Sequence, residues 1–441
     1  MYLKLAMRNA RRSVMDYLLY IAATVILLSI IFVSNYISVW GNIRANFQTA
    51  SLPLLIVLIM TFLMAYINNF MVKQRSKEFA TYLLLGMKKT TLFFLFACEI
   101  VSVGMVCFAV GGLFSLLLYN LCFTFFQESN VDQLSMETIG KGTLYSSAYF
   151  CLIEICVLLQ IRKSVWKLEI SRLIKEKHRN EPLNERRKTF WGCFFAVGLA
   201  GTWLMLYAIV ALPDSKGLHF ISVISLPVLC AVVSFYKWMY AFLSSIRIKA
   251  SEHLYEGNRL YMIAEITFRT GTGAVMNSIF SICLLLSAIS FLFGTLLLNQ
   301  NIPVYPVIEQ RWMAFLQISI CIIFFVIFFS MLSLQQIIEL KRQAENIRIL
   351  HDMGKSRRAL KKLIKKQISA KLLIPTLMSF LILFSAVPAI NLKLNNWPAA
   401  PVHNDLLKAF ALYILCFAAF YLCYFHITYL ISRHYIKTLT G

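Results

Sequence analysis

The sequence predicts an all-α integral membrane protein of about ten transmembrane helices, with no sizeable domain outside the membrane. Three observations carry this expectation. Of 441 residues, 59% are hydrophobic and only 14% are charged, and the mean hydropathy is +0.70; soluble domains average roughly 45–50% apolar and about 25% charged. Apolar runs recur at the length of about 20 residues that a helix needs to cross a bilayer. The basic residues collect in alternate connections between those runs, as the positive-inside rule requires.

The runs are 17–39, 51–72, 91–126, 142–161, 190–212, 219–243, 275–298, 313–334, 368–390 and 407–432. The third is longer than one bilayer and is expected to begin as a partly cytosolic helix near Lys89. Segments 1–16, 73–89, 161–189, 237–270, 335–367 and 432–441 hold 36 of the 43 Lys and Arg residues. The intervening set, 40–50, 127–141, 213–218, 299–312 and 391–408, holds six. This bias places both termini in the cytosol. The outer connections reach only about 15 residues, too few to fold alone. Residues 162–189 form the one long polar linker, after four spans. The N-terminus is not expected to be a cleavable signal peptide, because its apolar stretch runs too long.

The net charge of +23 does not point to nucleic acid, since the charges follow membrane topology. The eleven Cys form no CxxC pair and no Cys/His set with ligand spacing, so no disulfide framework or metal site is expected. No nucleophile stands in a motif such as GxSxG, so no catalytic residue is assigned. His219 and His426 are isolated, and Trp40, Trp203, Trp238, Trp312 and Trp397 stand near run ends, as interfacial belts do. Pro227, Pro375 and Pro388 lie within or beside the sixth and ninth spans.

Two basic segments look like copies of each other. Lys73-Gln74-Arg75-Ser76-Lys77-Glu78 leads to Leu85-Gly86-Met87-Lys88-Lys89; Lys341-Arg342-Gln343-Ala344-Glu345-Asn346 leads to Met353-Gly354-Lys355-Ser356-Arg357. An offset of 268 residues aligns Gly86 with Gly354. In the first copy Phe79, Tyr82, Leu83 and the 86–87 pair share a helical face; in the second Ile347, Leu350 and Met353 do. Each glycine can end its helix in a left-handed position. A short amphipathic helix along the inner membrane surface is expected for both. One reading is contact with anionic head groups. The other, suggested by the repetition, is a matched pair of docking helices for a partner with two-fold symmetry. Gly354-Lys355-Ser356 is not a phosphate loop, because Ile349 stands where its first glycine belongs.

Glu99, Glu154 and Lys371 are the intramembrane polar candidates. A carboxylate in a span is costly and is a functional hypothesis by default. The alternative is an interfacial residue, or one paired with a neighbour such as Lys371. No ladder of acids runs through several spans, which disfavours a proton-coupled carrier.

Several stretches resemble the FtsX-like permease family of bacterial ABC transporters, and within it the BceB-type branch. They are Leu5-Ala6-Met7-Arg8-Asn9-Ala10-Arg11-Arg12-Ser13 with Asp16-Tyr17-Leu18; Lys77-Glu78-Phe79 through Tyr82-Leu83-Leu84-Leu85-Gly86-Met87-Lys88-Lys89; Arg348-Ile349-Leu350-His351-Asp352-Met353-Gly354-Lys355-Ser356; and Asn258-Arg259-Leu260 with Ile263-Ala264-Glu265-Ile266. The resemblance implies two FtsX-like four-helix halves with short cytosolic coupling helices. The first half is 1–161 (spans 1–4), followed by the basic linker 162–189. Residues 190–274 hold spans 5–6 and a cytosolic connector, and the second half is 275–441 (spans 7–10). It implies a multi-pass protein of the bacterial cell membrane that is not itself an enzyme. Its partner is a separate ABC ATPase subunit, expected in two copies, which carries the ATP and magnesium. The docking residues implied are Arg75, Lys77, Glu78, Phe79, Gly86 and Met87 in the first copy. In the second they are Arg342, Glu345, Ile347, Leu350 and Gly354. Resistance to, or export of, an antimicrobial peptide of bacitracin or lantibiotic type is the implied role, with membrane lipid, the peptide and a sensor histidine kinase as further partners. BceB-type permeases carry a large extracellular domain between spans seven and eight, which in the family engages peptide and kinase; here that interval is only Asn299 to Trp312. A mechanotransmitting regulator without transport, and an integral membrane enzyme acting on lipid, are the competing readings.

Overall fold

The computed structural model describes residues 21, 24–26, 28–36, 39, 61, 76–125, 136–166, 188–211, 224–249, 259–267, 270–299, 307–395 and 404–439. The expected span 51–72 lies outside them except for Thr61, as do Arg75 and most of the linker 162–189. All regular structure among the described residues is helical: α1 (Thr24–Tyr36), α2 (Ser76–Leu84), α3 (Lys89–Phe125), α4 (Met136–Trp166), α5 (Lys188–Ala211), α6 (Ser225–Lys249), α7 (Arg259–Ile266), α8 (Thr270–Leu298), α9 (Val307–Asp352), α10 (Arg357–Asn395) and α11 (Asp405–Leu439). Seven of them, α3, α4, α5, α6, α8, α10 and α11, are long and apolar enough to cross a membrane. Shorter apolar stretches lie in α1 and at Gln317–Ser333 of α9. The nine expected runs other than 51–72 each fall on one of these helices. This is a multi-pass membrane protein, and the connection between α8 and α9 leaves no room for a large domain.

The chain divides into two compact units, Met1–Arg179 and Asn180–Gly441. In lipid, helices gain nothing from hydrophobic burial against one another, so small residues and polar contacts do the joining. In the first unit Gly111 lets α1 approach α3 closely: a Cβ there would lie 3.1 Å from Leu28 Cβ and 3.3 Å from the Val25 carbonyl oxygen. Asn35 Nδ2 donates to Ser146 Oγ at 2.9 Å, tying α1 to α4. The rings of Phe32, Phe108 and Phe150 link the three helices, with centroids 4.9 and 4.7 Å apart.

In the second unit α8 is the hub. Its Phe280, Cys283, Leu284 and Ala288 are fully buried. Each neighbour is fastened to it by a polar contact. Asn277 Nδ2 donates to Tyr240 OH of α6 at 2.8 Å, and Ser287 Oγ to the Cys321 carbonyl of α9 at 3.1 Å. Ser281 and Ser379 of α10 share a hydrogen bond of 2.6 Å, and Tyr413 of α11 reaches the Leu284 carbonyl at 3.4 Å. Such bonds average about 0.6 kcal/mol in membranes and reach ~1.7. Pro375 and Pro388 stand inside α10 without ending it, while Pro227 sits in the first turn of α6, where its missing N–H costs nothing. The carbonyls of Ile374 and Pro375 both receive the Tyr236 hydroxyl of α6, at 3.1 and 2.9 Å.

One expectation is corrected by the fold. The second basic copy is not a separate short helix on the membrane surface. It is the end of α9, which runs unbroken for 46 residues from Val307. The physical reason is composition: between 335 and 352 there is neither Gly nor Pro, and Gln, Leu, Lys, Arg, Ala and Glu continue a helix readily.

Candidate functional site

The two copies close in the same hydrogen-bonded turn. After α2, Gly86 N–H donates to the Leu83 carbonyl at 3.1 Å and Met87 N–H to Tyr82 at 3.0 Å. After α9, Gly354 N–H donates to His351 at 2.9 Å and Lys355 N–H to Leu350 at 3.1 Å. This pair of bonds, one from C′ and one from C″, is the Schellman motif. It demands a left-handed residue at C′, and the glycines have φ of +86° and +91°. Two residues later a new helix starts in both places: Leu92 N–H bonds to Lys88, and Leu360 N–H to Ser356. Ser356 Oγ also caps α10 by accepting from Ala359 N–H at 3.3 Å.

Burial follows the same offset of 268. Phe79 and Ile347 are buried, as are the pairs Leu92/Leu360, Leu95/Leu363, Phe96/Ile364 and Ile100/Ile368. Phe79 meets Phe96 edge-on at 5.3 Å. Tyr82 and Leu350 are half-buried, and so are Met87 and Lys355. The outward side is also shared. Leu85 is 80% exposed and Met353 78%, with Leu84 and Ile349 beside them. Met353 therefore does not join Ile347 and Leu350 on the inward face, as the periodicity predicts; it follows the last full turn, where the backbone is already reversing. Lys88, Arg357 and Arg358 surround these apolar tips as exposed cations. Each tip is thus a small greasy knob followed in the chain by exposed cations, with Asp352 also exposed beside Met353, and held on a buried aromatic or aliphatic anchor. The first is braced again where Lys89 Nζ donates to the carbonyl of Trp166, at the end of α4, at 3.2 Å.

Of the other docking candidates, Glu78 is exposed in the first turn of α2. Lys77 belongs to α2, and Arg342 and Glu345 to α9, by their backbone; their side chains lie outside the described residues.

The intramembrane candidates separate. Glu99 is buried in α3, and its counterpart at the same offset, Gln367 of α10, is buried too. The repeat therefore places a long polar side chain at one depth in each helix that follows a turn. Glu154 of α4 is half-buried, its carboxyl group resting against Gly104 of α3, and its Oε2 has no hydrogen-bond partner among the described residues. Lys371 of α10 has its ion partners elsewhere: Glu265 of α7 at 3.4 Å, and Glu339 of α9. Reading the sequence alone does not find Glu265 or Glu339. They stand 106 and 32 residues from Lys371, so no periodicity joins them. The one local signal is a carboxylate inside the apolar stretch Ile263-Ala264-Glu265-Ile266.

The two copies therefore build the same glycine-closed helix pair, α2–α3 in the first unit and α9–α10 in the second. Residues 50–164 match the family described as FtsX-like permease C-terminal, an interval that contains α2, the Gly86 turn, α3 and α4 through Ser164. The chain is also similar to the bacitracin export permease protein BceB of Bacillus subtilis (strain 168), with 21% identity over 294 residues. That match covers 63% of this chain and 45% of the relative, so the chain spans less than half of that protein's length. The resemblance is to FtsX-like permeases of the BceB type.

Proposed function

We propose that this chain is the membrane-spanning permease subunit of a bacterial ABC transporter, with both termini in the cytosol of the cell membrane. The observation that carries the reading is the duplicated turn: the same four hydrogen bonds, anchors and exposed knobs, 268 residues apart. A membrane-surface helix needs no such repetition, whereas a pair of identical ATPase subunits does. Residues 1–161 and 275–441 are the two permease halves, joined by the linker 162–189 and by 190–274. Leu84, Leu85, Ile349 and Met353 seat in the ATPase subunits, and nucleotide and magnesium reside on those subunits. The relative's name points to bacitracin, and the proposed substrate class extends it to lantibiotic-like peptides or another amphiphile, exported or resisted by the complex.

The test is co-purification of an ABC ATPase with the tagged chain. Leu85→Asp with Met353→Asp should lower ATPase recovery by at least about tenfold, because a charge in an apolar socket is desolvated without a partner. The melting temperature should hold, since both side chains are exposed. Full recovery with the double variant would remove the knobs from the interface. Absence of any ATPase from the wild-type preparation would favour the regulator reading.

A further inference from the structure

Lys371, Glu265 and Glu339 form a buried ionic cluster drawn from three helices. Their side chains are only 10%, 7% and 15% exposed. Lys371 Nζ donates to Glu265 Oε1 at 3.4 Å and to Glu339 Oε2. An ion pair of this burial is costly to assemble and costly to break, and its best-attested use is to specify one arrangement of the elements it joins.

Its placement says which arrangement. Glu339 lies 15 residues before Gly354 and Lys371 lies 15 residues after Ser356, so each stands ~22 Å up its helix from the turn. The pair therefore bolts α9 to α10 at matched height, as a rung across the hairpin. Glu265 adds a third attachment. It lies one residue from the end of α7, and α8 begins at Thr270. Helix α7 has eight residues, too few to hold itself in place, and α8 is the hub on which α6, α9, α10 and α11 are fastened. The offset of 268 sets Val103 against Lys371 and Met71 against Glu339, so the repeat does not carry these charged residues into the first copy.

We propose that Lys371 is a positioning residue that clamps the α9–α10 hairpin to α7, so that hairpin and α7 move as one body and displacement of the second turn is delivered to the foot of α8. The clamp itself is independent of the permease reading; its role in passing on an ATPase stroke rests on that reading.

The experiment is hydrogen–deuterium exchange on the full chain in nanodiscs, alone and in complex with the ATPase. The triple variant Glu265→Gln, Glu339→Gln, Lys371→Met removes all three charges together at nearly constant volume, so it is expected to fold. Lys371→Arg keeps the cation. In the isolated chain, amide exchange over 259–266 should quicken by at least about tenfold in the triple variant, with 188–211 unchanged, and should remain near wild type in Lys371→Arg. In the complex, trapping with ATP and vanadate should alter exchange over 259–266 in the wild type and not in the triple variant, while ATPase recovery stays the same. Unchanged exchange over 259–266 in the isolated triple variant would overturn the clamp. A vanadate response that survives in the triple variant would overturn transmission through it. Should no ATPase bind the wild-type chain, the permease reading falls, and the isolated-chain comparison still decides the clamp.

Discussion

Replacing Gly354 by alanine isolates the cost of the reversed backbone from every other effect. The glycine has φ of +91°, and a Cβ built on it meets no atom within 4 Å. The substitution therefore introduces no clash. What remains is the left-handed penalty, about 1–2 kcal/mol for a residue with a Cβ, offset by about 0.4–1 kcal/mol from the reduced freedom of the unfolded chain. The net is close to 1 kcal/mol, or roughly a fivefold increase in local opening. The quantity to read is amide exchange at residues 354 and 355, whose N–H groups make the two closing bonds, corrected for the intrinsic rates of the new side chains. Gly354→Ala should exchange about fivefold faster. Gly354→Asn should stay within about twofold of wild type, because asparagine tolerates this region. Gly86→Ala should repeat the result at residues 86 and 87, since its φ is +86° and its surroundings are equally empty. Equal acceleration by alanine and asparagine would refute the backbone argument. A response at one turn without the other would refute the equivalence of the two copies.

Two further outcomes are expected. Gly198→Ala should destabilise the contact of α5 with α6 by about 1–3 kcal/mol, because its Cβ would stand 2.9 Å from the backbone nitrogen of Ala231; an unaltered melting curve in detergent would show that the helices can part without cost. A tag inserted within 300–306, in the connection between α8 and α9, should be reached by an impermeant reagent on intact cells; labelling only after lysis would invert the assigned topology.

Much of the paired-turn frame was legible because it is written in local chemistry. Gly86 and Gly354 stop amphipathic stretches just ahead of basic residues, Lys88-Lys89 in one copy and Lys355 with Arg357-Arg358 in the other, and stop signals of this kind act within one turn of helix. The offset of 268 then carries further than the motif itself, to Phe96 and Ile364 and to Ile100 and Ile368, all buried. The helical face was only partly legible. Phe79 and Ile347 point inward as expected, but Met353 lies past the point where helical periodicity holds. The continuity of α9 was missed because a span was assumed to end where its apolar run ended, although nothing in 335–352 breaks a helix. The Lys371 cluster was out of reach for a different reason. Its members come from α7, α9 and α10, and only the packing of α8 against its neighbours decides that they meet.

The unbroken length of α9 has a mechanical consequence. Forty-six residues make a rod of about 69 Å, against a hydrocarbon core of roughly 30 Å, and the rod has no proline or glycine at which to fold. It is gripped near its middle, where Cys321 and Phe328 pack on α8. A stiff rod held there is a seesaw. Taking residue 325 as the pivot, the arm to Asp352 is about 40 Å and the arm to Val307 about 27 Å. A sideways shift of about 3 Å at the turn then reappears as about 2 Å at the far end, in the opposite direction.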